Sequence, residues 1–168
     1  MKYVDYMEVA PAALKQIRNG AFLTVQSHDI INTMTIGWAS IGFLWGRPMM
    51  TVMVRNSRYT FELIEKSNEF TVSVPQTDKS AALNVCGSQS GREIDKFKVC
   101  NLDIFPGEKV KTPIIKTGGL HFECEIVYKN AINPNNLVEA YTHLYPEKDY
   151  HTNYYGEIKA CYSTMDEE

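Results

Sequence analysis

Short runs rich in β-branched and aromatic residues, each followed by a turn signal, constrain the fold of this sequence most strongly. Runs of this composition are typical of β-strands. They recur as AFLTVQS (21–27), NTMTIGWASI (32–41), PMMTVMV (48–54), EFTVSVP (69–75), GLHFECEIVYKNAI (119–132), NLVEAYTHLY (136–145) and GEIKACY (156–162). Six or seven strands at this spacing favour a small barrel or a sandwich, and the pattern alone leaves both open.

Three other segments combine apolar spacing with capping residues, so they are predicted to be helices. They are 9–18, with Pro11 in its first turn, 57–67, with Ser57 as the N-cap, and 78–87, with Asp78 as the cap. Residues 88–97 are predicted to form a polar turn. Repeats and linkers are absent from the sequence, so residues 1–168 are predicted to be one mainly β domain with peripheral helices.

Charge and hydropathy exclude several classes of partner. The net charge of −3 argues against nucleic acid, because phosphate backbones are bound by basic surfaces. Apolar runs of membrane-spanning length are absent, so no membrane partner is expected. The N-terminus MKYVDYMEVA contains acidic residues and lacks the apolar core of a signal peptide, which predicts a cytoplasmic protein.

The cysteines and histidines give no metal-binding pattern. Cys86, Cys100, Cys124 and Cys161 are widely spaced and form no C-x-x-C pair, so they are predicted to be free, mostly buried thiols that take no part in redox chemistry. The four histidines are also scattered, without a pair at helical ligand spacing. The sequence therefore predicts no metal site.

Familiar catalytic devices are missing, but three polar segments point to a ligand. The sequence contains no dinucleotide-binding G-x-G-x-x-G, no P-loop and no G-x-S-x-G elbow, and no catalytic residue is predicted. The first polar segment is strand 32–41, which carries small polar groups around one indole. The others are RNSRYT (55–60), where a helix N-terminus and an arginine would suit phosphate, and SGREIDKF (90–97), with Arg92 and Lys96. Each is also typical of a plain surface, but together they favour a phosphate-bearing aromatic ligand.

The order of these segments resembles one known family. NTMTIGWASIGFLWGRPMMTVMVRNSRYTFELIEKSNEFTVSVP followed by CGSQSGREIDKF is similar to the flavin reductase-like, FMN-binding split-barrel proteins, which include flavoredoxin. The resemblance extends from about residue 12 to residue 162. It implies an all-β fold, a six-stranded Greek-key split β-barrel, and a homodimer with FMN at the subunit interface.

The resemblance also implies a set of cofactor-binding residues. Asn32, Thr33 and Thr35 would contact the ribityl chain or phosphate, and Trp38, Ala39 and Ser40 would line the flavin ring. The phosphate would be held by Arg55, Ser57 and Thr60, with support from Asn56 and Tyr59. Ser90, Gly91 and Lys96 match the later motif.

Three functions remain open at this level. The first is an NAD(P)H-dependent flavin oxidoreductase that takes a hydride from NADH or NADPH to flavin N5, where the cofactor supplies the chemistry. The second is a non-enzymatic, flavoredoxin-like FMN electron carrier that a partner protein reduces. A β-barrel without a cofactor is the third, and a colourless protein would indicate it. HTNYYGEI (151–158) either lies near the open face of the ring or is a tyrosine-rich segment packed on the barrel.

Overall fold

The computed structural model describes residues 1–165, and antiparallel strands dominate it. The strands are β1 Lys2–Tyr3, β2 Ala21–Ser27, β3 Ile30–Ile36, β4 Ala39–Leu44, β5 Arg47–Arg55, β6 Glu69–Pro75, β7 Ile104–Phe105, β8 Ile114–Ile115, β9 Gly119–Ala131 and β10 His151–Thr164. The helices are α1 Tyr6–Ile17, α2 Tyr59–Ile64, α3 Ser80–Ser88 and α4 Lys96–Val99, with two 3₁₀ turns at Pro134–Asn136 and Glu139–Leu144.

One eight-stranded sheet carries the core. Its strands follow the order β3-β2-β6-β9-β10-β5-β4, with β1 beside β10, and every pair is antiparallel. Neighbours such as β2 and β6, or β5 and β10, are far apart in the chain, as in Greek-key connections. Within residues 1–165 the order is open between β3 and β4. The all-β, split-barrel prediction is therefore confirmed, although the sheet has more strands than the six expected.

The segment 32–41 is not the single strand that the sequence predicted. The chain leaves the sheet at Gly37 and Trp38, so that β3 pairs with β2 while β4 pairs with β5. These two strands stand at opposite ends of the strand order. A plain core strand would have continued to pair with one partner. The polar and aromatic residues of this segment lie instead where the chain passes from one end of the strand order to the other.

Other differences lie at helix boundaries and in one loop. The prediction of a strand at residues 136–145 was wrong, because this part of the chain forms 3₁₀ turns. The first turn begins at Pro134, and the side chain of Asn133 accepts a hydrogen bond from the N–H of Asn135. Helix α1 begins earlier than expected, at an N-cap formed by Asp5, which leaves Pro11 inside the helix. Ser57 is not an N-cap, because α2 begins at Tyr59.

The buried apolar residues form separate clusters against the sheet. The larger apolar cluster contains Phe70 of β6, Phe122 of β9 and Ile17 of α1, and Phe22 of β2 is fully buried in a second cluster with Leu83 of α3. No helix within residues 1–165 has the length and apolar character that crossing a membrane requires. The same residues contain no cluster of His, Cys, Asp and Glu side chains that could hold a metal ion.

Candidate functional site

A groove lies along the division between β3 and β4, and three adjoining cavities form it. We call them the cation end (about 190 Å³), the middle (about 180 Å³) and the indole end (about 530 Å³). The cation end and the middle share Met34, Arg55 and Arg58, and the middle and the indole end share Gly37 and Trp38, so the three lie side by side. Small-molecule sites occupy roughly 300–1,000 Å³. The groove is therefore large enough for a small organic ligand.

Most of the residues that the sequence predicted as cofactor ligands border this groove. Those at the cation end are Asn32, Arg55, Ser57, Tyr59, Thr60, Ser90, Gly91 and Lys96. Thr35 borders the middle, Trp38 borders the middle and the indole end, and Ala39 and Ser40 border the indole end.

Two of the predicted ligands have side chains that are engaged elsewhere. Thr33 is fully buried; its hydroxyl donates to the carbonyl of Leu23 at 3.2 Å and lies 3.2 Å from the hydroxyl of Thr24. Alternate residues of a strand face opposite sides, so Thr33 points away from the side that Asn32 presents to the groove. The amide oxygen of Asn56 accepts the hydroxyl of Thr152 on β10 at 3.0 Å. Neither side chain is brought to the groove.

Asn32 and Thr60 form a buried polar pair at the cation end. Nδ2 of Asn32 donates to Oγ1 of Thr60 at 2.9 Å, and both residues are almost fully buried. Gly91 packs against this pair so closely that a Cβ at residue 91 would lie 2.1 Å from Oδ1 of Asn32. Ser90 accepts the N–H of Arg92 at 3.2 Å, which shapes the same turn. A larger residue at position 91 would therefore displace the side chain of Asn32 from its place beside Thr60.

Lys96 and Arg58 give the cation end its positive charge. Lys96 is only 4% exposed, and its Nζ donates to the carbonyls of Thr33 at 3.0 Å and Cys86 at 2.8 Å. Arg58 donates through Nη1 to the carbonyl of Gly87 at 2.9 Å. Cys86 and Gly87 belong to the last turn of α3, where carbonyls lack partners within the helix and attract cations.

These two cations are not neutralised by an ion pair. Within residues 1–165, no carboxylate oxygen lies within 4.0 Å of a charged nitrogen of Lys96 or Arg58. Burial lowers the pKa of Lys96, and the neighbouring Arg58 cation acts in the same direction. A buried cation without a counter-ion is costly in free energy. The positive charge of Lys96 and Arg58 is therefore not offset by an ion pair within residues 1–165.

Arg55, which the family resemblance implied as one of three phosphate ligands, already has partners within the chain. Its guanidinium donates to the carbonyls of Asp149 at 2.7 Å and Leu144 at 3.1 Å, and it lies 5.0 Å from the ring centre of Tyr145. Arg55 therefore holds segment 144–150 against the groove. The sequence interpretation missed Arg58, three residues later, although the RNSR motif contains both arginines.

Ser57 and Asp149 form a second contact at the cation end. The backbone N–H of Ser57 donates to Oδ1 of Asp149 at 3.1 Å, and its hydroxyl donates to Oδ2 at 2.6 Å. Asp149 was not predicted by sequence reasoning, because nothing in its local pattern distinguishes it from other loop acids. The hydroxyl of Ser57 therefore binds this carboxylate and does not cap the N-terminus of α2.

Trp38 borders both the middle and the indole end, and His151 borders the middle beside it. The indole is 42% exposed, and its ring centre lies 5.2 Å from that of His151. Nδ1 of His151 is 2.8 Å from the hydroxyl of Tyr145. Burial, together with the nearby Arg55 cation, lowers the pKa of His151 to about 4. The imidazole is therefore neutral at neutral pH, and it supports the indole.

The cysteines are free thiols, and all but Cys100 are buried, as the sequence predicted. Cys86 borders the cation end and lies in the same apolar cluster as Cys100, so the two are closer than their sequence separation suggested. Burial, and secondarily the Cys100 thiol, raises the pKa of Cys86 to about 12. Cys86 therefore remains a protonated thiol at neutral pH.

Comparison with known proteins gives a consistent result. Residues 18–168 match the family described as "Flavin reductase like domain". An uncharacterized protein of Pyrococcus abyssi is 30% identical over 142 residues, which cover 83% of this chain and 70% of that protein.

Two solved structures are also similar. Flavoredoxin from Methanosarcina acetivorans has 29% identity and a TM-score of 0.69, with 86% of this chain and 68% of that chain covered. An FMN-binding protein from Thermus thermophilus has 22% identity and a TM-score of 0.68, with 86% and 69% covered, and this likeness concerns the fold alone. Each of these matched proteins is longer than the region it shares with this chain.

Proposed function

Since this chain belongs to the family of flavin reductase-like domains, we propose that its groove binds FMN and that the protein transfers a hydride from NADH or NADPH to flavin N5. The observation that carries the proposal is the cation end, where buried Lys96 and half-buried Arg58 lack a carboxylate partner among residues 1–165. A phosphate would supply the missing negative charge through charge-assisted hydrogen bonds.

The remaining groove suits the rest of an FMN molecule. The phosphate would be held by Lys96 and Arg58, with the hydroxyls of Thr60 and Ser90 beside them. Thr35 borders the middle, where a polyol chain would lie, although its hydroxyl already donates to the carbonyl of Leu83 at 2.6 Å. Trp38 offers an exposed aromatic face at the indole end, the largest of the three cavities.

FMN supplies the redox chemistry when bound, because its isoalloxazine ring accepts a hydride. The chain's own residues bind, orient and shield the cofactor. His151 is neutral and close to the Tyr145 hydroxyl, so it orients the indole and gives no sign of acting as an acid at neutral pH. We therefore assign no catalytic residue.

A second candidate function is supported by one comparison. The flavoredoxin of Methanosarcina acetivorans, at 29% identity, favours an FMN electron carrier that is reduced by a partner protein. The two functions predict the same cofactor but different electron donors. Anaerobic addition of NADH or NADPH to the FMN-loaded protein separates them: rapid bleaching of the flavin band identifies the oxidoreductase, and bleaching only with dithionite or a reductase identifies the carrier.

We also propose that two copies of the chain associate through an exposed aromatic surface next to the groove. The β4–β5 hairpin exposes Phe43, Leu44 and Trp45, and Trp45 lies 6.0 Å from the rings of both Tyr128 and Tyr155. Tyr155 also borders the indole end, so a partner placed here would adjoin the cofactor. Exposed aromatic clusters of this kind are enriched at protein interfaces.

The first test of FMN binding compares two arginines. Arg58→Gln removes a charge from the cation end, whereas Arg47→Gln removes one from the exposed start of β5. A charge-assisted contact contributes about 1.5–3 kcal/mol, so Arg58→Gln is expected to weaken FMN binding roughly 10- to 150-fold. Titration of flavin fluorescence gives the affinities. Equal affinity in the two variants, or a purified protein that takes up no flavin, would contradict the proposal.

A further inference from the structure

Asp149 is an acidic residue at the edge of a cavity whose other charged residues are basic. Asp149 borders the cation end together with Lys96 and Arg58. It accepts two hydrogen bonds from Ser57, one from the backbone N–H and one from the hydroxyl. A carboxylate held by an N–H and a hydroxyl uses the same kind of donors that a phosphate oxygen uses.

The backbone around Asp149 is held independently of its carboxylate. Its carbonyl accepts Nη1 of Arg55 at 2.7 Å, and the carbonyl of Leu144 accepts Nη2 at 3.1 Å. The N–H of Asn56 donates to the carbonyl of Tyr150 at 3.1 Å. The side chain of Asp149 can therefore leave Ser57 by rotation while segment 144–150 stays on Arg55.

We propose that the Asp149 carboxylate is an internal competitor for the ligand phosphate, which displaces it from Ser57 on binding. The inference rests on the proposed binding of FMN and adds a determinant of selectivity to that site. Two anions cannot share the two donors of Ser57, and like charges at such short range repel each other strongly. Asp149 thus lowers the affinity for FMN and leaves the affinity for riboflavin, which has no phosphate, nearly unchanged.

The test uses Asp149→Asn, because an amide of the same shape can keep contact with Ser57 without the charge. Glu147→Gln is the matched control, since Glu147 is an exposed acid in the same segment. Binding of FMN, riboflavin and inorganic phosphate is measured for wild type and both variants by titration, with thermal melts to check folding.

The expected results differ for the three ligands. Asp149→Asn should bind FMN about tenfold more tightly, or better, and inorganic phosphate should tighten in parallel. Riboflavin, which lacks the phosphate, should change less than about twofold. Glu147→Gln should match wild type for all three ligands, because the exposed charge is largely screened.

Two outcomes would overturn the inference. If Asp149→Asn weakens FMN and phosphate binding, the carboxylate positions Ser57 for the ligand and does not compete with it. If riboflavin and FMN tighten equally, the effect has nothing to do with phosphate. The phosphate titration decides the role of Asp149 even if wild type binds no flavin, an outcome that would refute the proposed function separately.

A double substitution sharpens the test. In wild type, Ser57→Ala removes the hydroxyl, though not the backbone N–H, that serves Asp149 before binding and the phosphate after it, so the loss of FMN affinity should be small. In the Asp149→Asn background the same substitution should cost more, because the bond to the charged competitor is gone. Equal effects of Ser57→Ala in both backgrounds would also contradict the exchange.

Discussion

Replacing Lys96 by methionine tests the physical basis of the cation end most directly. Methionine has nearly the length of lysine but no charge, and Lys96 is only 4% exposed. If its ammonium makes a charge-assisted bond to phosphate, the substitution removes about 1.5–3 kcal/mol of binding free energy. Since 1.4 kcal/mol corresponds to about tenfold, FMN affinity should fall roughly 10- to 150-fold. Riboflavin affinity should change little.

The stability of the apo-protein should respond much less. Lys96→Met loses two hydrogen bonds from Nζ to carbonyls, which destabilises the fold. It also removes a buried ammonium without a counter-ion, which stabilises it. Because these effects oppose each other, the free energy of unfolding at pH 7 should change by about 1 kcal/mol or less.

The pH dependence of binding gives a second, independent signature. The pKa of Lys96 is lowered in the folded apo-protein, so the charged form is disfavoured until an anion binds. Affinity for FMN in wild type should therefore decrease as the pH rises through this lowered pKa, below the ordinary lysine value of about 10.5. The decrease should disappear in Lys96→Met.

The assay is fluorescence titration of FMN and riboflavin between pH 7 and pH 10, with urea unfolding of each apo-protein. Lys98→Met is the matched control, because Lys98 is exposed on the same short helix and pairs with Asp95. Unchanged FMN affinity in Lys96→Met, with the protein folded, would refute the reasoning. Lys96 would then serve only to join β3 to α3.

Three further predictions follow from the same structure. Gly91→Ala should weaken FMN binding at least about tenfold, because the added Cβ would displace the buried side chain of Asn32. Flavin titration measures this change, and unchanged affinity would show that the turn accommodates the Cβ. Burial lowers the pKa of His121 to about 4, so its contribution to stability is complete above pH 6.5 and is lost as the pH falls toward 4. Urea unfolding should show a loss of about 1.4 kcal/mol per pH unit from this histidine, and His121→Asn should reduce that slope. Light scattering at micromolar concentration should give twice the chain mass of 19.1 kDa, and Trp45→Ser should shift the protein toward the monomer; a wild-type monomer would exclude the dimer.

The local sequence pattern predicted much of the fold. Strands 21–27 and 69–75 begin and end where the structure has them, because strand composition and the flanking turn residues are properties of neighbouring positions. The motifs quoted for the family resemblance lie on β3, β5 and the turn before α4, and they border one groove. Pattern also separated helices from strands, except at 136–145, where β-type residues found no partner strand.

Only the tertiary structure decided which polar residues act together. The sequence has Lys96 and Lys98 two positions apart and Arg55 and Arg58 three apart, and only the family resemblance, not the local pattern, named Lys96 and Arg55 as cofactor-binding residues. Lys96 is buried whereas Lys98 is exposed, and the Arg55 guanidinium donates to carbonyls of segment 144–150, a contact that no local pattern indicates. Strand alternation is a local property and can be read along the chain. The electrostatic environment of a side chain depends instead on residues that are distant in the sequence. Asp149, for example, comes close to Ser57 only when β10 pairs with β5.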